Sequence, residues 1–186
     1  MHVCTKIAGV LFVFGLLFVS TQAGDEEAAR KFEQPILISS AGQSADMKLI
    51  GMLAKKQKLD AKAVNMAQVS DLDGIKTLII VPGFSSKGLG AAGVSQKEEM
   101  ERVEKLVAAA QEKKIPIVMI HIGGNARRKG QSDAFNKLTA EVAERMIVVQ
   151  QGDEDGFFSE IAREKKIPIT LVEKIAEVAT PLGELF

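Results

Sequence analysis

The sequence predicts an α/β domain: a three-layer, doubly wound, mostly parallel sheet of five to six strands, flavodoxin-like or Rossmann-like. Three observations predict it. Short apolar runs at 36–38, 78–81, 117–120 and 147–149 each end in a loop of small and polar residues. Segments with apolar residues at helical spacing separate these runs, as βα units require. The junction Glu112-Lys113-Lys114-Ile115-Pro116-Ile117 returns as Glu164-Lys165-Lys166-Ile167-Pro168-Ile169. Both copies set lysines at the negative end of a helix and a Pro before a buried strand.

The elements follow in order. A strand is predicted over 35–39, then a helix over 45–58 with Met47, Ile50, Leu53 and Ala54 on one face. A second strand falls at 63–67. The link 68–76 carries Asp71-Leu72-Asp73-Gly74 and has room for a single helical turn. A third strand at 77–81 opens into a long glycine-rich loop. The next helix starts at Ser95, with Glu98 three residues on in a capping-box pattern, and Met100, Val103, Val107 and Ala110 recur along it. A strand at 115–122 leads to a helix from Ser132 or Asp133 carrying Phe135, Leu138 and Val142. A strand at 146–150, a helix at 157–165 and a strand at 168–172 follow. A last turn or two covers 173–179, and Pro181 opens the tail. The compact link before the third strand favours the order 2-1-3-4-5, with a crevice between strands one and three. The order 3-2-1-4-5-6 is the alternative.

The first 23 residues read as a signal peptide. Lys6 supplies a positive start, 7–19 is apolar, and Thr21-Gln22-Ala23 offers small residues at a cleavage point before Asp25, Glu26 and Glu27. The expected protein is exported and periplasmic or extracellular after cleavage near Ala23, with a flexible lead-in at 24–34 and one domain at 35–186. An uncleaved membrane anchor is the alternative.

Composition excludes several functions. The 24 basic and 24 acidic side chains balance, which gives no electrostatic reason to expect nucleic acid. Cys4, the only cysteine, lies in the signal, so no disulfide partner, thiolate nucleophile or cysteine metal site is expected. With no Trp, no Tyr and His121 the only histidine after the signal, no metal and no cofactor is expected.

Chemistry-bearing residues cluster in the loops that end the strands. Ser39, Ser40, Gln43 and Ser44 stand in a strand-to-helix turn whose backbone N–H groups suit an anion. That turn is similar to the flavodoxin phosphate loop and departs from it at Ala41; a plain helix cap is the alternative. Gly88-Leu89-Gly90-Ala91-Ala92-Gly93 matches the dinucleotide fingerprint by letter but sits too far from its strand and before its helix. It reads instead as a mobile lid or a surface loop, bringing Phe84, Ser85, Ser86 and Lys87 near a ligand. His121, Gly123, Asn125, Arg127 and Arg128 end the next strand, where the arginines could clamp a carboxylate or phosphate. Asp153 and Asp155 favour a helix start or take a positive group. Ser44 and His121 are the weak catalytic candidates: Gly42-Gln43-Ser44-Ala45-Asp46 lacks the second glycine of a nucleophile elbow.

Four stretches carry a family resemblance: Ser40-Ala41-Gly42-Gln43-Ser44-Ala45-Asp46, the segment 85–93, His121-Ile122-Gly123-Gly124-Asn125-Ala126-Arg127-Arg128 and Gln151-Gly152-Asp153-Glu154-Asp155-Gly156. With 181–186 they resemble an uncharacterised family of short exported bacterial proteins, a domain of unknown function. The resemblance covers nearly all of 24–186. It implies export and the domain boundaries and carries no reaction.

The expectation is a binding module for a small polar or anionic ligand at the carboxyl edge of the sheet. The alternatives are a hydrolase or transferase using Ser44 or His121, a flavin protein disfavoured by the missing aromatics, and an accessory protein of a membrane transport component.

Overall fold

The computed structural model describes residues 1–2 and 32–186. The apolar segment 7–19, the cleavage point at Ala23 and the lead-in up to residue 31 lie outside them. Among the described residues no helix is long and apolar enough to cross a membrane. The chain runs β1 (Ile36–Ala41), α1 (Asp46–Lys56), β2 (Ala61–Ala63), β3 (Thr77–Pro82), α2 (Ser86–Ala92), α3 (Gln96–Glu112), β4 (Ile117–His121), α4 (Gly130–Ala140), β5 (Arg145–Val149), α5 (Phe157–Lys165), β6 (Ile169–Val172) and α6 (Ala179–Glu184).

All strand pairs are parallel, and the sheet order is β2-β1-β3-β4-β5-β6. This is the flavodoxin-like arrangement extended by a sixth strand. The link after β2 is too short for a full crossover helix and holds one 3-10 turn, Val69–Leu72. The chain then passes to the other side of β1, which leaves the topological switch between β1 and β3.

The central strands are continuously apolar because helices cover both faces. Alternate residues sort them. Ile36, Ile38, Ile79, Val81, Val118, Ile120, Ile147 and Val149 pack with Met47, Ile50 and Ala54 of α1 and Leu182 of α6. Leu37, Leu78, Ile80 and Ile117 meet Val103, Leu106 and Ala110 of α3 and Phe135 of α4. Met119, Met146 and Val148 meet Phe158, Ile161 and Ala162 of α5.

Three expectations need correction. The second strand lies at Ala61–Ala63 rather than 63–67, so Asn65 and Met66 belong to the loop beyond it. The segment 83–93 is not an open loop, because α2 occupies its centre. The Ser85 hydroxyl accepts the Gly88 N–H at 3.1 Å and Gly93 closes the helix in the left-handed conformation. Pro181 sits in the first turn of α6, where a missing N–H interrupts no helical bond.

The capping box at α3 forms as the spacing predicts. Glu98 N–H donates to Ser95 Oγ at 3.2 Å, and Ser95 N–H donates to the Glu98 carboxylate at 2.7 Å. Replacing Ser95 by Ala is expected to lower unfolding free energy by about 1 kcal/mol, read as a lower urea midpoint at unchanged slope.

Candidate functional site

The loops after β1 and β3 do not face each other across an open crevice. They are joined. Gly83 N–H donates to Ala41 O and Ser85 N–H to Gly42 O, both at 2.8 Å, and Gln43 bridges Phe84 in antiparallel fashion. Gly42, at φ +98°, permits this approach: a Cβ there would lie 2.7 Å from Gly83 O. Gly88 lets α2 settle on the same loop, since its Cβ would fall 2.0 Å from Gln43 O.

A buried ion pair holds this junction from below. Glu99 has no exposed surface, and its Oε1 accepts the Gly42 N–H at 2.9 Å. Arg102 donates to Glu99 through Nε and Nη2, both at 2.8 Å. Its remaining donors reach Ala67 O at 2.8 Å and Ser40 O at 2.6 Å. One pair on α3 therefore ties the exits of β1 and β2 together. The sequence reasoning missed both residues, because Glu and Arg three apart on a helix look like an ordinary surface pair.

Above the junction lies a cleft of about 590 Å³. Gln43, Ser44, Ala45 and Lys48 line it from the β1 side, Asn65 and Met66 from β2, Ser85, Lys87, Gly88, Ala91 and Ala92 from β3, and Arg127 from β4. Among the described residues no acidic side chain lines it. Gln43 adopts φ 62°, is 3% exposed, and its Nε2 has no acceptor. Its Oε1 accepts from Asn65 Nδ2. Strained backbone clusters at active sites and ligand clamps, and buried polar groups ordinarily find a partner.

Arg127 is aimed by its surroundings. Its stem crosses Gly123, where a Cβ would lie 2.0 Å from Arg127 Cγ. Its Nη1 donates to Phe84 O at 2.9 Å, and its Nε stands 3.8 Å from Asp46. Arg127 Cδ and Ser44 Cβ both approach to 3.2 Å the point where a Gly83 Cβ would sit, so the two side chains are neighbours. Ser86 lines an adjoining hollow of about 510 Å³ that shares Ser85, Lys87 and Arg127 with the cleft.

The other expected ligand groups, Ser40 Oγ apart, have internal partners. Arg128 is not an open clamp. It binds Asp155 in bidentate fashion at 2.9 and 3.0 Å, Asp133 at 2.9 Å and Gly152 O, and lies 4.3 Å over the Phe157 ring. Burial pushes the Asp133 carboxyl up, but its bonds to Arg128 and Asn136 outweigh this and hold it below the usual range. The Arg128 bond, ahead of other causes, lowers Asp155. Asp153 caps α5, accepting from Phe158 N–H at 2.6 Å, Ser159 N–H at 3.1 Å and the Ser159 hydroxyl. Asn125 donates to Glu154 at 2.9 Å. Ser39 and Ser40 are buried in β1, Ser39 donating to Ser40 O at 3.4 Å and Ser40 Oγ without a partner. Among the described residues no cluster of three or more His, Cys, Asp or Glu side chains is placed to hold a metal ion.

Ser44 and His121 are not joined by a hydrogen bond. Ser44 Oγ accepts the Asp46 N–H at 3.2 Å at the start of α1 and lines the cleft. His121 is fully buried under Gly152, with its ring 4.8 Å from Phe158 and Nε2 3.3 Å from Gly124 O. Its Nδ1 has no partner. Burial lowers its pKa to about 4, against smaller opposing effects of Gly124 O, Asp46 and Asp133.

Two stability measurements follow from these contacts. The unfolded chain binds a proton at His121 near pH 6.5 while the folded chain does not until about pH 4. Stability should therefore fall by about 3 kcal/mol as pH drops through that window. His121→Leu should remove that slope. Asp133 and Asp155, whose folded values lie below 3.8, lose their contributions only at lower pH. Arg102→Met, which leaves the Glu99 charge buried and alone, should cost about 3–5 kcal/mol in urea unfolding at pH 7.

Comparison with known proteins places the chain. No curated protein matches it. Among solved structures it is similar to AlinE4, an SGNH-hydrolase family esterase, at 15% identity and a TM-score of 0.29, covering 81% of this chain and 80% of that one. It is also similar to a candidate acylhydrolase from Bacteroides fragilis, at 7% identity and a TM-score of 0.34, covering 85% and 78%. A family model matches residues 33–186, nearly the whole described domain. The chain belongs to that family, the domain of unknown function DUF6305.

Proposed function

We propose that this domain is an exported binding module for a small anionic molecule, held in the cleft above the β1–β3 junction. The observation that carries the reading is the lining: Lys48, Lys87 and Arg127 converge with no acid among the described lining residues, in a chain whose charges otherwise balance. Hydroxyls of Ser44 and Ser85 and the amide of Gln43 stand among these cations. The cleft lies at the carboxyl edge of a parallel sheet, over its topological switch, where ligands of such folds bind. Export rests on the signal pattern of the first 23 residues.

The contrast between the two adjacent arginines sharpens the reading. Arg128 has carboxylates on both sides of its guanidinium. Arg127 has one backbone carbonyl and a carboxylate at 3.8 Å, and among the described residues Lys48 and Lys87 form no ion pair. Two lysines without an ion pair and an arginine only loosely paired with Asp46, beside a concave surface, favour an anion by charge-assisted hydrogen bonds.

Isothermal titration with inorganic phosphate, acetate and succinate tests it. At least one should bind, and Lys87→Ala or Arg127→Gln should each weaken that binding about tenfold or more. Lys165→Ala, on α5 away from the cleft, should leave it unchanged. Absence of binding by all three at millimolar concentration would sink the reading.

A further inference from the structure

We infer that the anion is a carboxylate bearing a short apolar tail, lying along α2 with its charged end toward Arg127 and its tail toward Met66. This rests on the anion reading of the same cleft and adds its chemical class and direction. The sheet order β2-β1-β3-β4 lines up the contributing loops in space. Met66 follows β2, Gln43 and Ser44 follow β1, Ser85 follows β3 and Arg127 follows β4. Strands β2 and β4 are three spacings of about 4.8 Å apart, and Arg127 reaches back from the β4 loop to the β3 loop.

Its chemistry changes along that line. At the β3–β4 end stand Ser85, Lys87 and Arg127, with Ser44 beside Arg127. The apolar lining comes from Met66, beyond β2, and from Ala91 and Ala92, at the close of α2. Helix α2 repeats the gradient by itself. Lys87 and Ala91, one helical turn apart, share a face, so the same wall is cationic at its start and apolar about 6 Å further along. Gly88 between them has no side chain, and none could fit, since the helix backbone rests against Gln43.

Between the two ends sits Gln43. Its Nε2 is buried without an acceptor, and its Oε1 accepts from Asn65. An inorganic oxyanion would match the cations and leave Met66, Ala91 and Ala92 facing water. A neutral apolar molecule would match those three and leave Lys48 and Lys87 without a counter-charge. A carboxylate with a tail of a few carbons satisfies both.

The experiment is a titration calorimetry series at constant ionic strength: acetate, butanoate, hexanoate and octanoate, with inorganic phosphate and hexanamide alongside. Affinity is expected to rise about two- to fourfold per methylene up to hexanoate and level off by octanoate, the upper figure being that of a fully buried methylene. Hexanamide should bind about tenfold or more weakly than hexanoate. Ala91→Gln places a neutral amide on the tail wall at an exposed helical position, so the hexanoate-to-acetate ratio should shrink toward one. A flat series, phosphate tighter than hexanoate, or a chain-length gain that survives in Ala91→Gln would overturn the tail and leave an anion cleft. Hexanamide as tight as hexanoate, or no binding by any probe, would overturn both.

Discussion

A carboxylate with no exposed surface is the constraint on which the rest of the site depends. Glu99 lies under the β1 loop, and a charge removed from water in this way requires a partner of opposite sign and hydrogen bonds to every remaining acceptor. Arg102 supplies the sign, and Gly42 N–H supplies a further bond. The guanidinium has donors to spare, and these go to Ser40 O and Ala67 O. The backbone around Ala41 is thereby fixed from two directions. Gly42 is pinned at its N–H by Glu99 and at its carbonyl by Ser85, and the next residue, Gln43, adopts the left-handed conformation.

The neighbouring arginines show how position alone assigns different work to the same side chain. Arg128 is turned toward β5, where Asp133 and Asp155 neutralise it and Phe157 covers its face. It fastens the loop after β4 to the start of α5 and has nothing left for a ligand. Arg127 is turned the other way because Gly123 leaves room for its stem, and it reaches the β3 loop. The acids flanking the β5 end balance one arginine, and the cleft side holds none among its described lining residues. Local charge separation arises in this way within a chain of zero net charge.

Much of the fold was readable in the residues. The fully apolar strands, the Ser95 capping box and the Lys-Lys-Ile-Pro junctions are local signals, and each appears where its spacing placed it. The compact link before β3 favoured the observed strand order but left 3-2-1-4-5-6 open as the alternative. The helix α2 was not readable, since two glycines and two alanines in seven residues give no apolar periodicity; the Ser85 cap and contact with Gln43 hold it. The loops that carry the cleft were located, but not which of their polar side chains would find internal partners. Arg128 meets Asp155 across 27 positions, and Gly42 meets Glu99 across 57. Pairings at that separation leave no mark on a single sequence. Lys48 and Asn65 were missed for another reason: each is a lone polar residue between apolar neighbours, and only the fold turns them toward a common space.

The closed junction also governs what kind of molecule the site can take. In an open doubly wound sheet a ligand slips between the first and third strands' loops. Here such a ligand would have to break the Gly83–Ala41 and Ser85–Gly42 hydrogen bonds and the Gln43–Phe84 bridge. It would also dislodge Gly42 from Glu99, exposing a buried charge pair to incomplete solvation. A ligand resting above the junction breaks none of these. The usual site of the fold is thereby displaced outward, onto a platform made of one strained loop and one short helix. A broad planar ring has no slot there, and its faces would remain in water. A small, elongated molecule that lies along α2 can touch Gln43, Lys87 and Arg127 at once, which makes the closing of the crevice itself a selector of ligand shape.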